Sequence, residues 1–187
     1  MTERIGILLS GGESRRFGSP KAFAEIDGEK FYERAYQALD AVCDRVVIVS
    51  HPELQPRFPM ELDVITDLPA VAGQGPLAGI LTAMTQRPGS CYIVLPCDMP
   101  FVTSAETARL VEQMDKTQNI TAIRTPDARV PLFSIWKTGL QKALKKELEA
   151  GGRRVMVFME KAGTAWLDSA VINGDSSVFR NINRPDE

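Results

Sequence analysis

Three stretches of the chain, Ile5 to Leu9, Val46 to Val49 and Tyr92 to Leu95, are apolar without interruption. A strand with one wet face alternates apolar and polar residues, so unbroken runs of this length suit strands covered on both faces, as in a parallel sheet between layers of helix. The intervening segments fit that reading. Phe31 to Leu39 has helical spacing, and Pro76 to Thr85 begins with proline at a first helical position and places Leu77, Ile80, Leu81 and Met84 on one face. Strand and helix therefore alternate, which predicts an α/β fold with right-handed crossovers.

Farther along, Ala105, Ala108, Val111 and Met114 mark one helix face, and Leu140, Ala143, Leu144 and Leu148 mark another that Gly151-Gly152 would stop. Leu132 to Trp136 reads as a strand between them, and Val155 to Lys161 as a further helix. The proline-rich piece from Pro52 to Pro59 reads as a surface loop with no assigned role. At 187 residues without repeats or a long linker, the expectation is one domain spanning 1–187.

Charge and composition remove several classes. A net charge of −2 leaves no global basic footprint for nucleic acid or membrane, so an anionic ligand must be met by a local site. No apolar stretch approaches the ~18 residues that span a bilayer, and a cytoplasmic protein is expected. Cys43, Cys91 and Cys97 lack paired metal-site spacing and are expected to be reduced thiols. A single histidine, His51, argues against a zinc hydrolase.

The segment after the first run, "LLSGGESRRFGSPK", carries the first candidate site. Loops that follow strands of an open α/β sheet lie at the carboxyl edge, where ligands bind. Gly11 and Gly12 allow close approach of backbone N–H groups to an anion, and Arg16 and Lys21 add cations suited to phosphate oxygens. A triphosphate would satisfy all of these, while a plain glycine turn with exposed cations is the alternative. Gly18 is followed by Ser19-Pro20-Lys21, and no Gly-x-Gly-x-x-Gly occurs here, so neither the Walker loop nor the dinucleotide fingerprint applies.

Two more segments carry candidate residues. In "YIVLPCDMPFV", Asp98 follows a buried strand and suits Mg²⁺, a hard cation that takes one or two carboxylates and leaves its other positions to water and phosphate. Its alternatives are a turn or a cap of the helix near Ser104. In "TDLPAVAGQGPLAGILTAM", Gly73, Gly75 and Gly79 bracket a helix start that a base or sugar can approach, and Asp67 can accept from ribose hydroxyls or base N–H groups. A loop with a helix-packing glycine is the other reading of that segment.

Taken together and in order, "LLSGGESRRFGSPK", "GPLAG", "PCDMPF", "GGRRVMVF" and "NINRPDE" resemble the molybdenum cofactor guanylyltransferases over nearly the whole chain. The resemblance implies a Rossmann-like nucleotidyltransferase fold, a mostly parallel central sheet flanked by helices. It implies transfer of GMP from GTP to molybdopterin with release of pyrophosphate, and Mg²⁺ as cofactor. It assigns Leu9, Ser10, Gly11 and Gly12 to the guanine and phosphate loop, Arg16 and Lys21 to the phosphates, Asp67, Gly75 and Gly79 to the nucleotide, and Asp98 to the metal and nucleotide. Arg153, Arg154, Asn181 and Asn183 fall on the side associated with the pterin. Cofactor-delivery proteins and molybdoenzyme chaperones are the further partners it implies.

The chain departs from the family pattern at several places. Ser10 stands for the usual alanine of "LAGG", Phe17 for methionine, Ser19-Pro20 for the usual approach to the lysine, and Arg184 for the threonine of "NTP". An asparagine common after the second strand is replaced by Val49 or Ser50. A CTP-dependent transferase, or one with another phosphorylated acceptor, is the alternative enzyme. A nucleotide-binding regulator and an assembly partner are the non-catalytic alternatives, against which Lys21 and Asp98 weigh. An acceptor phosphate is already ionised at neutral pH, so the expected chemistry needs positioning and charge neutralisation more than a strong base.

Overall fold

The computed structural model describes residues 3–11 and 19–183. In chain order the elements are β1 (Arg4–Leu9), β2 (Glu25–Ile26), β3 (Glu29–Lys30), α1 (Phe31–Asp40), β4 (Arg45–Ser50), β5 (Val64–Thr66), α2 (Pro76–Gln86) and β6 (Cys91–Pro96). They continue with α3 (Ser104–Glu112), β7 (Ile120–Arg124), β8 (Arg129–Lys137), α4 (Gln141–Glu149), α5 (Val155–Ala162) and β9 (Thr164–Asp168). The central sheet has the order β5-β4-β1-β6-β8-β7-β9, and β2 and β3 form a separate hairpin.

The three apolar runs are the middle of this sheet: β1 pairs in parallel with β4 on one side and β6 on the other. Strand β8 is antiparallel to both its neighbours, β6 and β7, and β9 returns to run parallel to β7. The sheet is therefore mixed but mostly parallel. Continuous apolar sequence follows from burial on both faces, and the alternation is visible in where each side chain goes. Ile5, Ile7, Val47, Val49, Tyr92 and Val94 pack into the core under α2, α4 and α5. Leu8, Val46, Ile48, Ile93 and Leu95 pack into the opposite core with Tyr32, Ala35 and Leu39 of α1 and Leu110 of α3.

Local chemistry sets the ends of the helices. In α1 the buried residues Phe31, Tyr32, Ala35, Ala38 and Leu39 form one stripe, the spacing of a helix lying on a sheet. Gly75 precedes α2 with φ +79°, a conformation that suits glycine, and Pro76 takes the first helical position, where a missing N–H costs nothing. Thr103 caps α3 by accepting from Ala105 N, while Glu106 accepts from Thr103 N at 2.9 Å. That cap excludes the reading of Asp98 as the cap of this helix. Gly151, at φ +82°, ends the α4 segment as the sequence predicts.

The order of strands changes direction at β1: the chain goes from β1 out to β4 and β5, then crosses to β6 on the other side. Leu9 is in register with Pro96, and Cys97 N donates to Leu9 O at 3.0 Å. The segments that leave β1 and β6 thus start side by side at the carboxyl edge, at the switch point where open α/β sheets form their crevice. Among the described residues, no helix is long and apolar enough to cross a membrane.

Candidate active site

The segment after β6 turns at once, with Met99 N donating to Pro96 O, and Asp98 stands inside that turn. Its side chain reaches across to Lys21, whose Nζ lies 3.3 Å from Asp98 Oδ2. Lys21 opens a single turn of tight helix, Lys21–Phe23, and its Nζ also donates to Asn183 Oδ1 at 2.8 Å. Asn183 is held there by the tail itself. Ile182 N donates to Asp98 O at 2.8 Å, Ile182 is buried in the α1 and α3 core, and the Arg180 guanidinium lies 4.0 Å from the Phe101 ring centre.

Three segments far apart in sequence therefore meet at Asp98. Its second oxygen, Oδ1, is buried and has no hydrogen-bond partner among the described residues. Burial pushes the Asp98 carboxyl above the usual carboxylate range, with Lys21 pulling the other way. A buried carboxylate oxygen without a donor is costly unless something cationic meets it, and a divalent ion fits that vacancy of partners. Among the described residues no three or more His, Cys, Asp or Glu side chains converge, so an ion at Asp98 would draw its other ligands from phosphate and water. Cys97 beside it is no nucleophile, because burial pushes its thiol up to about 12.

The β1 end supplies backbone. Ser10 is buried, and both its N and its Oγ donate to Val49 O, at 2.9 and 3.2 Å. Its hydroxyl is thus turned into the sheet. Gly11 is exposed and lies against the backbone of Ser50 and His51, where an added Cβ would come within 3.8 Å of His51 N. Gly12 and Arg16 lie outside the described residues.

Beyond β5, Asp67 is half-buried, and its Oδ2 accepts from Gly73 N at 3.2 Å, closing the loop that leads to Gly75 and α2. Burial raises the Asp67 carboxyl, while the Gly73 N–H and His51 lower it. Gly75 is exposed at the start of α2. Gly79 is buried within α2, and a Cβ there would stand 2.9 Å from Leu9 Cδ2 and 3.4 Å from Val49 Cγ1. It packs α2 onto β1 and β4, so any effect on a ligand passes through Leu9.

Arg153 and Arg154 are exposed on the connection between α4 and α5, and no described hydrogen bond or ion pair joins them to the Lys21 cluster. Asn181 and Asn183 lie in an irregular segment. The spacing still orients them: Asn181 and Asn183 are exposed on either side of buried Ile182. Sequence reasoning set Asn183 on the pterin side and did not anticipate its bond to Lys21. It also gave no role to the 52–59 loop, in which Phe58 is buried against Phe23. One phenylalanine among prolines and charges was the available signal.

Comparisons with known proteins agree with this architecture. The family described as the MobA-like NTP transferase domain matches residues 6–164. A protein of Geobacillus sp. (strain WCH70) named probable molybdenum cofactor guanylyltransferase is 35% identical, covering 100% of this chain and 97% of that protein. A Bacillus licheniformis protein of the same name is 33% identical, over 97% of this chain and 93% of its own. The crystal structure of molybdopterin-guanine dinucleotide biosynthesis protein A from Archaeoglobus fulgidus superposes with a TM-score of 0.80 at 24% identity, covering 97% and 93% of the two chains.

Proposed function

Because this chain belongs to the MobA-like NTP transferase family, we propose that it transfers GMP from GTP to molybdopterin, releasing pyrophosphate and forming molybdopterin guanine dinucleotide. The names of relatives that align over the full chain support the substrates. The observation that carries the chemistry is Asp98 at the β1–β6 edge, with one oxygen on Lys21 and the other buried without a partner among the described residues.

A terminal phosphate oxygen of the acceptor attacks the α-phosphorus of GTP, and the bond from that phosphorus to the bridging oxygen of pyrophosphate breaks. The acceptor is already anionic, so no side chain has to remove a proton. Asp98 would hold Mg²⁺, which would supply charge neutralisation at the reacting phosphates. Lys21 takes charge developing on pyrophosphate, and the Gly11 backbone lies close to the triphosphate. Arg16 and Gly12 have the same task by the sequence motif alone. Leu9, Ser10, Asp67 and Gly75 line the nucleoside side, and Arg153, Arg154, Asn181 and Asn183 face the pterin. The protein works as one nucleotidyltransferase domain in the cytoplasm, where its three free thiols stay reduced, and receives molybdopterin from a delivery protein.

Incubating the purified protein with Mg²⁺, molybdopterin and each of the four NTPs in turn, with the dinucleotide identified by mass, tests this reading. GTP should give the guanine dinucleotide and equimolar pyrophosphate. A site that pairs guanine's polar edge leaves groups unpaired against cytosine, at about 1–3 kcal/mol each, so GTP should win an equimolar competition by on the order of 10²-fold. A cytosine product at comparable yield would overturn the base assignment.

A further inference from the structure

The 52–59 loop packs onto the turn that carries Lys21. Phe58 is 5% exposed, and its ring centre lies 4.9 Å from those of both Phe23 and Tyr32, while Phe23 and Tyr32 are 5.6 Å apart edge to face. Three rings from three segments thus form a closed triangle: Tyr32 from α1, Phe23 from the Lys21–Phe23 turn, and Phe58 from the loop after β4. The exposed Arg57 adds its guanidinium 4.0 Å from the Phe23 ring centre. Ala22, between Lys21 and Phe23, is 1% exposed.

Lys21 has a backbone direction that these contacts determine. Phe23 N donates to Pro20 O and Ala24 N to Lys21 O, so the turn moves as a unit with the Phe23 ring. On the other side, Lys21 Nζ must reach Asp98 Oδ2 and Asn183 Oδ1 from a side chain that is 17% exposed. We propose that Phe58, assisted by Arg57, is a positioning residue for Lys21: the loop after β4 is a strut that sets where the ammonium meets the triphosphate. This rests on the transferase reading of the site for the identity of the ligand. Aromatic pairs in such offset and edge-to-face arrangements are directional as well as apolar, so removing one ring frees the turn to shift. A misplacement of about 1 Å is enough to cost up to ~10²-fold where a charge must meet a phosphate.

A double-mutant cycle read by GTP titration calorimetry separates positioning from general loosening. Phe58→Ala, assayed at a temperature where its circular dichroism matches wild type, should weaken GTP binding by about tenfold in the wild-type background. In the Lys21→Ala background the same substitution should change binding by less than about twofold, because there is no ammonium left to misplace. Arg57→Ala removes only an exposed contact and leaves the core intact; it should weaken GTP binding by about two- to fivefold, again only when Lys21 is present. An equal loss in both backgrounds, or no loss in either, would overturn the proposal. Dinucleotide formation is followed in parallel: a wild-type protein that binds GTP but transfers nothing to molybdopterin would sink the transferase reading and leave the cycle readable.

Discussion

Lys21 Nζ and Asp98 Oδ2 stand 3.3 Å apart, joining the segment after β1 to the segment after β6 across 77 residues of sequence. The pair sits where the strand order turns, and it leaves Asp98 Oδ1 buried and, among the described residues, unbonded. Burial nonetheless dominates, so the folded protein holds the Asp98 proton more tightly than the unfolded chain. Keeping the Asp98 carboxylate ionised in this place is thus electrostatically costly.

Asp98→Asn should therefore lose transfer by on the order of 10²–10³-fold without losing stability. The sign follows from linkage. A carboxyl with a raised folded pKa favours folding below its unfolded value and loses that contribution as pH rises through the folded one. At neutral pH the neutral amide should match or exceed wild type in melting temperature. A midpoint several degrees lower, or near-normal turnover at limiting Mg²⁺, would remove Asp98 from this role.

Glu106 behaves in the opposite sense. Its side chain is buried, which alone would raise the pKa, but Thr103 Oγ1, Thr103 N and Asn173 Nδ2 all donate to it, and the net shift is downward. Glu106→Gln should destabilise the protein by about 1–3 kcal/mol at pH 7. That difference is fully present above the ordinary glutamate value and shrinks as pH falls through the depressed folded one. Denaturant titrations of both proteins across the acid range measure it; a gap that stays constant with pH would show that the charge plays no part.

Gly79→Ala gains helix propensity worth up to about 1 kcal/mol, but its Cβ would press on the Leu9 side chain 2.9 Å away. Leu9 can swing aside, so stability should change little while the KM for GTP rises several-fold. A large drop in melting temperature with KM unchanged would make Gly79 a packing residue only.

Arg153 and Arg154 sit at the start of α5, where a cation opposes the helix dipole. Replacing both with alanine should raise the KM for molybdopterin by on the order of tenfold or more, at ~1.5–3 kcal/mol per charged hydrogen bond lost, and leave GTP binding nearly unchanged. Steady-state kinetics with each substrate varied in turn decides it, and equal losses for both substrates would point to a role in folding.

The sequence by itself determined the middle of the sheet and the edge onto which the segments after β1 and β6 open. Unbroken apolar runs have few explanations other than burial on both faces, and glycine and charge directly after β1 and β6 can only lie at their carboxyl ends. Strand β5 was not legible, because three residues are too short to show a period. The direction of β8 was hidden as well: an apolar strand covered on both faces reads the same whether its neighbour runs with it or against it. Only the tertiary structure put Asn183 on Lys21, a contact 162 residues long, and Phe58 beneath the turn that carries it. Local sequence encodes which side chains avoid water. Which of them meet is settled by the packing of segments that share no periodicity, and that is a property of the assembled core.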